Sequence, residues 1–199
     1  MISGVDRYPT PRVVALVFVI CTVLVVVVGS WVQLSAFLGF LPGLYITEWI
    51  LILVPPLTFL RRRGVEVKKA LGLERLRFKH VLLGVLGGVG SYFIFLEFFL
   101  LMEAVLGPYP AEFLEPIMKW FPTNWLEFIP WILGMAFSAG ICEETLFRGF
   151  IQNGLERSWG PSKALVVASI LFGVFHLDPW RSPAAVFIGL LAGYLLLRT

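Results

Sequence analysis

Charged residues are scarce in this sequence. They make up 15% of the 199 residues, whereas 58% are hydrophobic and the mean hydropathy is +0.87. Charged residues make up about a quarter of a typical soluble domain. Much of the surface of a soluble domain must be polar, and this chain has too little polar surface for that. Lipid tolerates such a composition, so the scarcity of charge argues against an ordinary soluble domain and predicts a membrane protein.

Cysteine and histidine are rare as well. The two cysteines, Cys21 and Cys142, both lie inside apolar runs, which argues against a disulfide framework. Of the two histidines, only His176 lies within an apolar run. No H-E-x-x-H segment occurs, so we expect no zincin-type metal site. We also expect no bound metal or cofactor. The net charge of +3 is modest, and the basic residues are concentrated in one loop, so we expect no nucleic-acid partner.

Long apolar stretches are what the sequence has in abundance. At about 20 residues per span, the length suits a single domain of about six spans. We predict a helix for each span, because a helix satisfies its own backbone hydrogen bonds in lipid. The predicted fold class is all-α, a polytopic transmembrane helix bundle. The predicted spans are Val13–Gly29, Leu44–Leu60, Val81–Leu106, Phe128–Arg157, Ser162–Leu177 and Ala184–Leu197.

The basic residues predict the orientation of the bundle. The loop between spans two and three is strongly basic, so the positive-inside rule makes it cytoplasmic. Two spans precede this loop, so the N-terminus, with Arg7 and Arg12, should be cytoplasmic too. We expect a multi-pass protein of the cell membrane, surrounded by the lipid bilayer. The basic residues of the loop are Arg61, Arg62, Arg63, Lys68, Lys69, Arg75, Arg77 and Lys79.

Span four carries three charged residues, Glu143, Glu144 and Arg148. A charge at this depth costs about 2.5–3.5 kcal/mol on insertion scales, so three together need a reason. Glu144 and Arg148 are four positions apart and share one helix face, where they can pair. Glu143 points about 100° away and has no such cation on its own helix. The pattern therefore predicts one carboxylate held by the arginine and one that is free for chemistry.

The next span ends with the segment Phe172–His176. Glu144 lies 14 residues before Ser158, and His176 lies 14 residues after Ser162. At about 1.5 Å per residue, both lie about 21 Å from the same turn. An antiparallel hairpin would then bring the carboxylates and the imidazole to the same depth. A carboxylate and an imidazole that face each other in a dry site can activate a water molecule.

Other interpretations of these residues stay open. The Glu144–Arg148 pair could be only a structural tie, and His176 could be a satisfied core residue. Cys142 could be a nucleophile with His176 as its base, or a small buried core residue. The glycine-rich stretch Gly84–Gly90 is typical of close helix packing. We interpret the other glutamates of the spans as end-of-helix or structural groups: Glu48, Glu97 and Glu103.

The two motifs together resemble a known family. The segment Glu143-Glu144-Thr-Leu-Phe-Arg148-Gly149, followed by Phe172-x-x-x-His176, resembles the CAAX prenyl protease and bacteriocin-processing family of intramembrane glutamate proteases. Segments 70–73 and 189–194 look similar to that family as well. The likeness therefore divides the chain into residues 1–69, with two spans and the basic loop, and residues 70–199, a core similar to a CAAX protease.

The resemblance implies an intramembrane endopeptidase whose substrate is a membrane-anchored protein or peptide, prenylated or otherwise held in the membrane. It implies that Glu143 is the base that activates water and that His176 assists it. It implies a supporting role for Glu144 and Arg148 as an ion pair, with Phe172 beside them.

The resemblance also implies an additional helix. The family usually has a further helix whose second histidine and Asn or Asp hold the oxyanion. The sequence as given ends at Thr199, where that helix would begin. We therefore expect the given chain to be an incomplete enzyme. The alternative function is a noncatalytic membrane scaffold or bacteriocin-immunity-type protein with the same fold.

Overall fold

The computed structural model describes residues 8–35, 37–70 and 78–198. Over these ranges every element is a helix, and none of the described residues forms a β-strand. The prediction of an all-α fold is therefore confirmed. In chain order, α1 to α8 are Pro11–Leu34, Phe40–Arg62, Val67–Ala70, Phe78–Leu106, Ala111–Met118, Trp125–Trp159, Pro161–Phe175 and Ser182–Arg198.

Four of these helices, α1, α2, α4 and α6, are long and apolar enough to cross a membrane. Helices α7 and α8 are apolar but shorter, with 15 and 17 residues. Each of the six predicted spans coincides with one of these six helices, with ends that differ by a few residues. The protein is therefore a multi-pass helical membrane protein.

A sharp turn at Gly160 joins α6 to α7. Gly160 has a φ of 79°, in the left-handed region that favours glycine. Pro161 follows as the first residue of α7, where its missing N–H has no helical partner to lose. The turn lets α7 run back along α6, and α7 also packs along α8. The two motif-bearing helices are thereby held side by side.

The hydrophobic core lies where α6 meets α1 and α7. The fully buried side chains of α6 include Phe147 and Phe150. The Phe147 ring lies edge-on to the rings of Phe172 and Phe175 on α7, with centroid distances of 4.9 and 5.3 Å. These ring contacts position the end of α7, where His176 lies, against α6.

Helix α4 lies at the outside of the bundle and contacts α8, for example through the Phe98 and Phe187 rings 4.6 Å apart. A methyl group added at Gly84, Gly88 or Gly90 would meet no heavy atom within 4 Å. At Gly87 it would lie 3.8 Å from Leu195 Cδ1 of α8, an ordinary van der Waals distance. Of the predicted stretch Gly84–Gly90, only Gly87 therefore faces a neighbouring helix among the described residues, and no glycine of the stretch is needed for a tight contact. Tight glycine-mediated packing lies instead between α1 and α2, between α7 and α8, and between α6 and α8.

Parts of the sequence predictions fall outside the described residues. They concern the N-terminal Arg7, the segment 71–77 with its two arginines, the side chain of His80, and Thr199.

Candidate active site

The glutamate motif lies where α6 changes its winding. Glu143 and Glu144 end the α-helical stretch Ala139–Glu144, and Arg148 belongs to the π-helical stretch Thr145–Gln152. Every residue of that π-helical stretch is buried. Short π-helical stretches within α-helices are frequent at functional sites. The local winding therefore sets Arg148 into the core while the two glutamates lie beside it.

Glu144 and Arg148 form the predicted ion pair. The Nη1 atom of Arg148 lies 3.2 Å from the Oε1 atom of Glu144, and the two side chains are 6% and 49% exposed. The angle at this contact is not that of a hydrogen bond, and both Nη atoms lack a hydrogen-bond partner among the described residues. The guanidinium also lies over the Phe172 ring, 4.6 Å from its centroid. The Glu144 side chain is thus more exposed than its place within a span suggests, whereas the Arg148 side chain is buried.

His176 caps the end of α7. Its Nδ1 atom lies 2.9 Å from the carbonyl oxygen of Phe172. A carbonyl oxygen only accepts hydrogen bonds, so Nδ1 carries a proton, and in the neutral imidazole Nε2 keeps its lone pair. The His176 ring also lies edge-on to the Phe172 ring, 4.9 Å between centroids. The imidazole is therefore fixed in orientation, with an unprotonated nitrogen available as a base.

Phe172 connects the two motifs. It touches Arg148 on one side and His176 on the other. The contact between Arg148 and Phe172 agrees with the expectation that the motifs lie at the same depth, since each residue is one helical turn nearer the Gly160 turn than Glu144 and His176. In the part of the chain that the structure describes, no hydrogen bond or ion pair joins His176 to Glu143 or Glu144.

Glu48, predicted from the sequence to be an end-of-helix or structural group, is a buried carboxyl. It lies well inside α2, in the π-helical stretch Thr47–Ile52, and is 5% exposed. That stretch packs against Ala139–Glu144, and the Trp49 indole donates a hydrogen bond to Ser138 Oγ at 3.0 Å. An end-of-helix role is therefore wrong for Glu48. A glutamate in the middle of an apolar run was the available signal.

The other glutamates of the spans behave differently. Glu103 accepts a hydrogen bond from the backbone N–H of Tyr109 at 3.0 Å, near the end of α4, which confirms the end-of-helix interpretation. Glu97 is exposed on the outer face of α4.

An open cavity of about 430 Å³ lies next to His176, between α4, α7 and α8. Its wall is largely apolar, and Arg181 and His176 are the residues in it that can carry a positive charge. Such a cavity suits a ligand with an apolar body and an anionic group. Its lining residues are Phe95, Phe99, Phe172, His176, Arg181, Ala185 and Ile188.

A polar network holds Arg181 at the edge of this cavity. Asp178 lies 3.1 Å from the Nε atom of Arg181 and accepts a hydrogen bond from the Tyr109 hydroxyl at 2.8 Å. Burial raises the pKa of the Tyr109 hydroxyl, and the hydrogen bond to Asp178 raises that pKa further. The Trp180 indole donates to the Gly107 carbonyl at 2.9 Å. No sequence motif predicted this network, because Tyr109 and the Asp178–Arg181 turn lie about 70 positions apart in the sequence.

Both cysteines are free and buried, and each has an exposed fraction of 0%. A nucleophile must be reached by its substrate, so the burial of Cys142 weakens the alternative in which it attacks with His176 as its base. Among the described residues, no group of three or more His, Cys, Asp or Glu side chains is arranged to hold a metal ion.

A family model matches the C-terminal part of the chain. Residues 125–199, which include α6, α7 and α8, match the family model Rce1-like, described as type II CAAX prenyl endopeptidase Rce1-like. No curated protein and no solved structure shows a significant match. The matched range contains both motifs, so the resemblance inferred from them is confirmed for this part of the chain.

Proposed function

We propose that this protein is an intramembrane endopeptidase in which a water molecule, activated by a glutamate, attacks a peptide bond of a membrane-held substrate. The observation that carries the proposal is the chain of contacts from Glu144 through Arg148 and Phe172 to His176. It joins the two motifs across neighbouring helices. The match of this region to a family of CAAX prenyl endopeptidases supports the same reaction class.

Glu143 is the general base of the proposed reaction. In the described part of the chain it takes part in no side-chain hydrogen bond or ion pair, so its carboxylate is available to a water molecule. It takes a proton from water while the water oxygen attacks the substrate carbonyl, and the proton is later passed to the leaving amine. His176 assists by accepting a hydrogen bond at Nε2, since Nδ1 is engaged with the backbone.

Glu144, Arg148 and Phe172 support this arrangement. Arg148 is held between the Glu144 carboxylate and the Phe172 ring. The backbone carbonyl of Phe172 also accepts the hydrogen bond from the His176 ring. A shift of Arg148 against Phe172 would therefore move the imidazole relative to Glu143. These three residues therefore act on geometry and do not exchange protons with the substrate.

The cavity beside His176 is the proposed binding site for the substrate. Its apolar wall suits an apolar C-terminal segment or a lipid chain attached to it, and Arg181 suits a free carboxylate. The substrate class is therefore a peptide that is anchored in the membrane, prenylated or otherwise lipid-held, and cleaved near its C-terminus.

The proposed orientation follows the positive-inside rule. The basic loop after α2 and the N-terminus face the cytoplasm. The turn at Gly160 then lies on the cytoplasmic side, and the turn that carries Asp178 and Arg181 lies towards the opposite side. Labelling of single cysteines introduced at Arg62 and Asp178 with an impermeant maleimide in intact cells tests this. Labelling at position 178 and protection at position 62 are expected, and the reverse pattern overturns the orientation.

Cleavage by purified protein in liposomes tests the proposed function. The substrate is a synthetic peptide with a prenylated cysteine near a free C-terminus, and the variant is Glu143→Gln, which keeps the shape but removes the base. Whatever the rate of the wild type, we expect the variant to be about 10²- to 10⁴-fold slower. Glu97→Gln is the matched control, because it removes an exposed carboxyl from another span and should leave the rate unchanged.

Two results would contradict the proposal. Cleavage by Glu143→Gln at the wild-type rate would show that another group activates the water. Binding of the peptide by correctly folded wild-type protein without any cleavage would favour the alternative, a noncatalytic membrane scaffold or immunity-type protein.

A further inference from the structure

Glu48 is the most enclosed of the carboxyl groups near the motif. The residue is 5% exposed, and its Oε2 atom is buried without a hydrogen-bond partner among the described residues. Its helical stretch packs against Ala139–Glu144, and the hydrogen bond from Trp49 to Ser138 fixes the register of the two helices. At this register Glu48 is close enough to Glu143 to interact with it electrostatically.

Among the described residues, no cation or hydrogen-bond donor at Glu48 Oε2 offsets the cost of burying an ionised carboxylate there. Taking a charge out of water is very costly unless the charge is paired and hydrogen-bonded, and a group without a partner takes up a proton instead. Around Glu143, Arg148 favours the ionised carboxylate and Glu144 opposes it. Burial then decides between the two glutamates, because Glu48 is 5% exposed whereas Glu143 is the more exposed of the pair. The proton therefore stays on Glu48 and the negative charge on Glu143.

A protonated carboxyl has a hydrogen-bond donor that an ionised one lacks. We propose that Glu48 is a positioning residue for the glutamate base: its protonated carboxyl donates a hydrogen bond to the Glu143 carboxylate, directly or through one water molecule. The two glutamates then hold one proton and one negative charge between them. Glu48 fixes the orientation of Glu143 and leaves the second oxygen of that carboxylate for the attacking water.

This inference rests on the proposed function for its kinetic consequences, but the proton on Glu48 can be observed without any activity. Infrared difference spectra of wild type minus Glu48→Gln, recorded in detergent, should show the C=O stretch of a protonated carboxyl. The absence of that band overturns the proposal, whether or not the protein cleaves peptides. A wild type that shows the band but cleaves nothing contradicts the proposed function alone.

Two substitutions separate positioning from a structural role. Glu48→Leu removes the donor but fills the same apolar space, so it should lower kcat by about 10- to 100-fold, the effect of losing a hydrogen bond to a charged group. Its resistance to unfolding should change little, because leucine fills the apolar space and water can solvate the more exposed Glu143 carboxylate that loses its donor. Glu48→Gln keeps a neutral donor, and its loss in kcat should stay below about 5-fold.

The outcomes are distinct. Wild-type kcat in Glu48→Leu, or a loss in Glu48→Gln as large as in Glu48→Leu, overturns the proposal. A fall in kcat of Glu48→Leu that is matched by a fall in stability shows a structural role and overturns it as well. Glu97→Leu is the control for introducing leucine in place of a glutamate within a span, and its kcat should be unchanged.

Discussion

Gly173 lies where α7 packs closest against α8, three residues before His176. A Cβ atom at this position would lie 2.8 Å from the backbone carbonyl oxygen of Ser182 and 3.3 Å from the backbone nitrogen of Val186, with the Val186 side chain nearer still. Side chains can rotate away from such a contact, but the Ser182 carbonyl belongs to the first residue of α8. The substitution Gly173→Ala therefore forces α7 and α8 apart.

The expected cost can be estimated from two opposing effects. Inserting a methyl group into a well-packed contact costs about 1–3 kcal/mol. Alanine in place of glycine within a helix gains about 1 kcal/mol. The net effect of Gly173→Ala is a loss of about 0–2 kcal/mol in the free energy of unfolding, about 1–3 kcal/mol below a glycine-to-alanine change that meets no contact. Since α8 also carries Ala185 in the wall of the cavity, we expect weaker substrate binding as well.

Unfolding in mixed micelles with increasing SDS measures this loss, followed by circular dichroism. The matched control is Gly88→Ala on α4, where the added methyl group meets nothing within 4 Å and should leave stability equal or raise it slightly. If Gly173→Ala proves as stable as Gly88→Ala, the close contact between α7 and α8 is wrong, and with it the position of the cavity.

Three further substitutions test the site. Arg148→Ala should lower the free energy of unfolding, measured in the same micelles, by about 1–3 kcal/mol, because it removes a desolvated cation from the Phe172 ring. The loss is smaller than for a fully buried ion pair because the Glu144 side chain is 49% exposed. Unchanged stability would mean that the pair contributes nothing. Cys142→Ser should retain peptidase activity in the liposome assay, because water is the nucleophile, and complete loss would revive the cysteine–histidine alternative. Arg181→Gln should raise KM by about 10-fold for a peptide with a free C-terminal carboxylate, which is the effect expected when a hydrogen bond to a charged group is lost. The KM for the corresponding C-terminal amide should not change. An equal effect on both peptides would contradict the proposed carboxylate contact.

The fold could be predicted from the sequence because lipid restricts the choice of structures. Each long apolar run had to form a helix, and Gly160-Pro161 marked the turn between α6 and α7. The pairing of Glu144 with Arg148 followed from helical spacing alone. The resemblance to CAAX proteases rested on two short motifs, and the family match over residues 125–199 contains both.

Contacts between distant segments could not be predicted in this way. The approach of Glu48 to the glutamate motif depends on how α2 packs against α6, which hydropathy does not encode. The Tyr109–Asp178–Arg181 network likewise joins a loop after α4 to the turn before α8. The glycines of α4 show the converse. Small residues suggested a close helix contact, but among the described residues only Gly87 faces another helix, and a Cβ atom there would lie at an ordinary van der Waals distance of 3.8 Å from Leu195.

The central claim is that Glu143 and His176 act on the same water molecule. The most direct test is a double-mutant cycle of kcat, with Glu143→Gln, His176→Gln and the double variant compared with wild type in liposomes. Residues that act as one unit have non-additive effects. We predict that each single variant loses about 10²- to 10⁴-fold and that the double variant is no more than about 3-fold slower than the slower single variant. Losses that multiply in the double variant would contradict the account, because the two side chains would then act in independent steps.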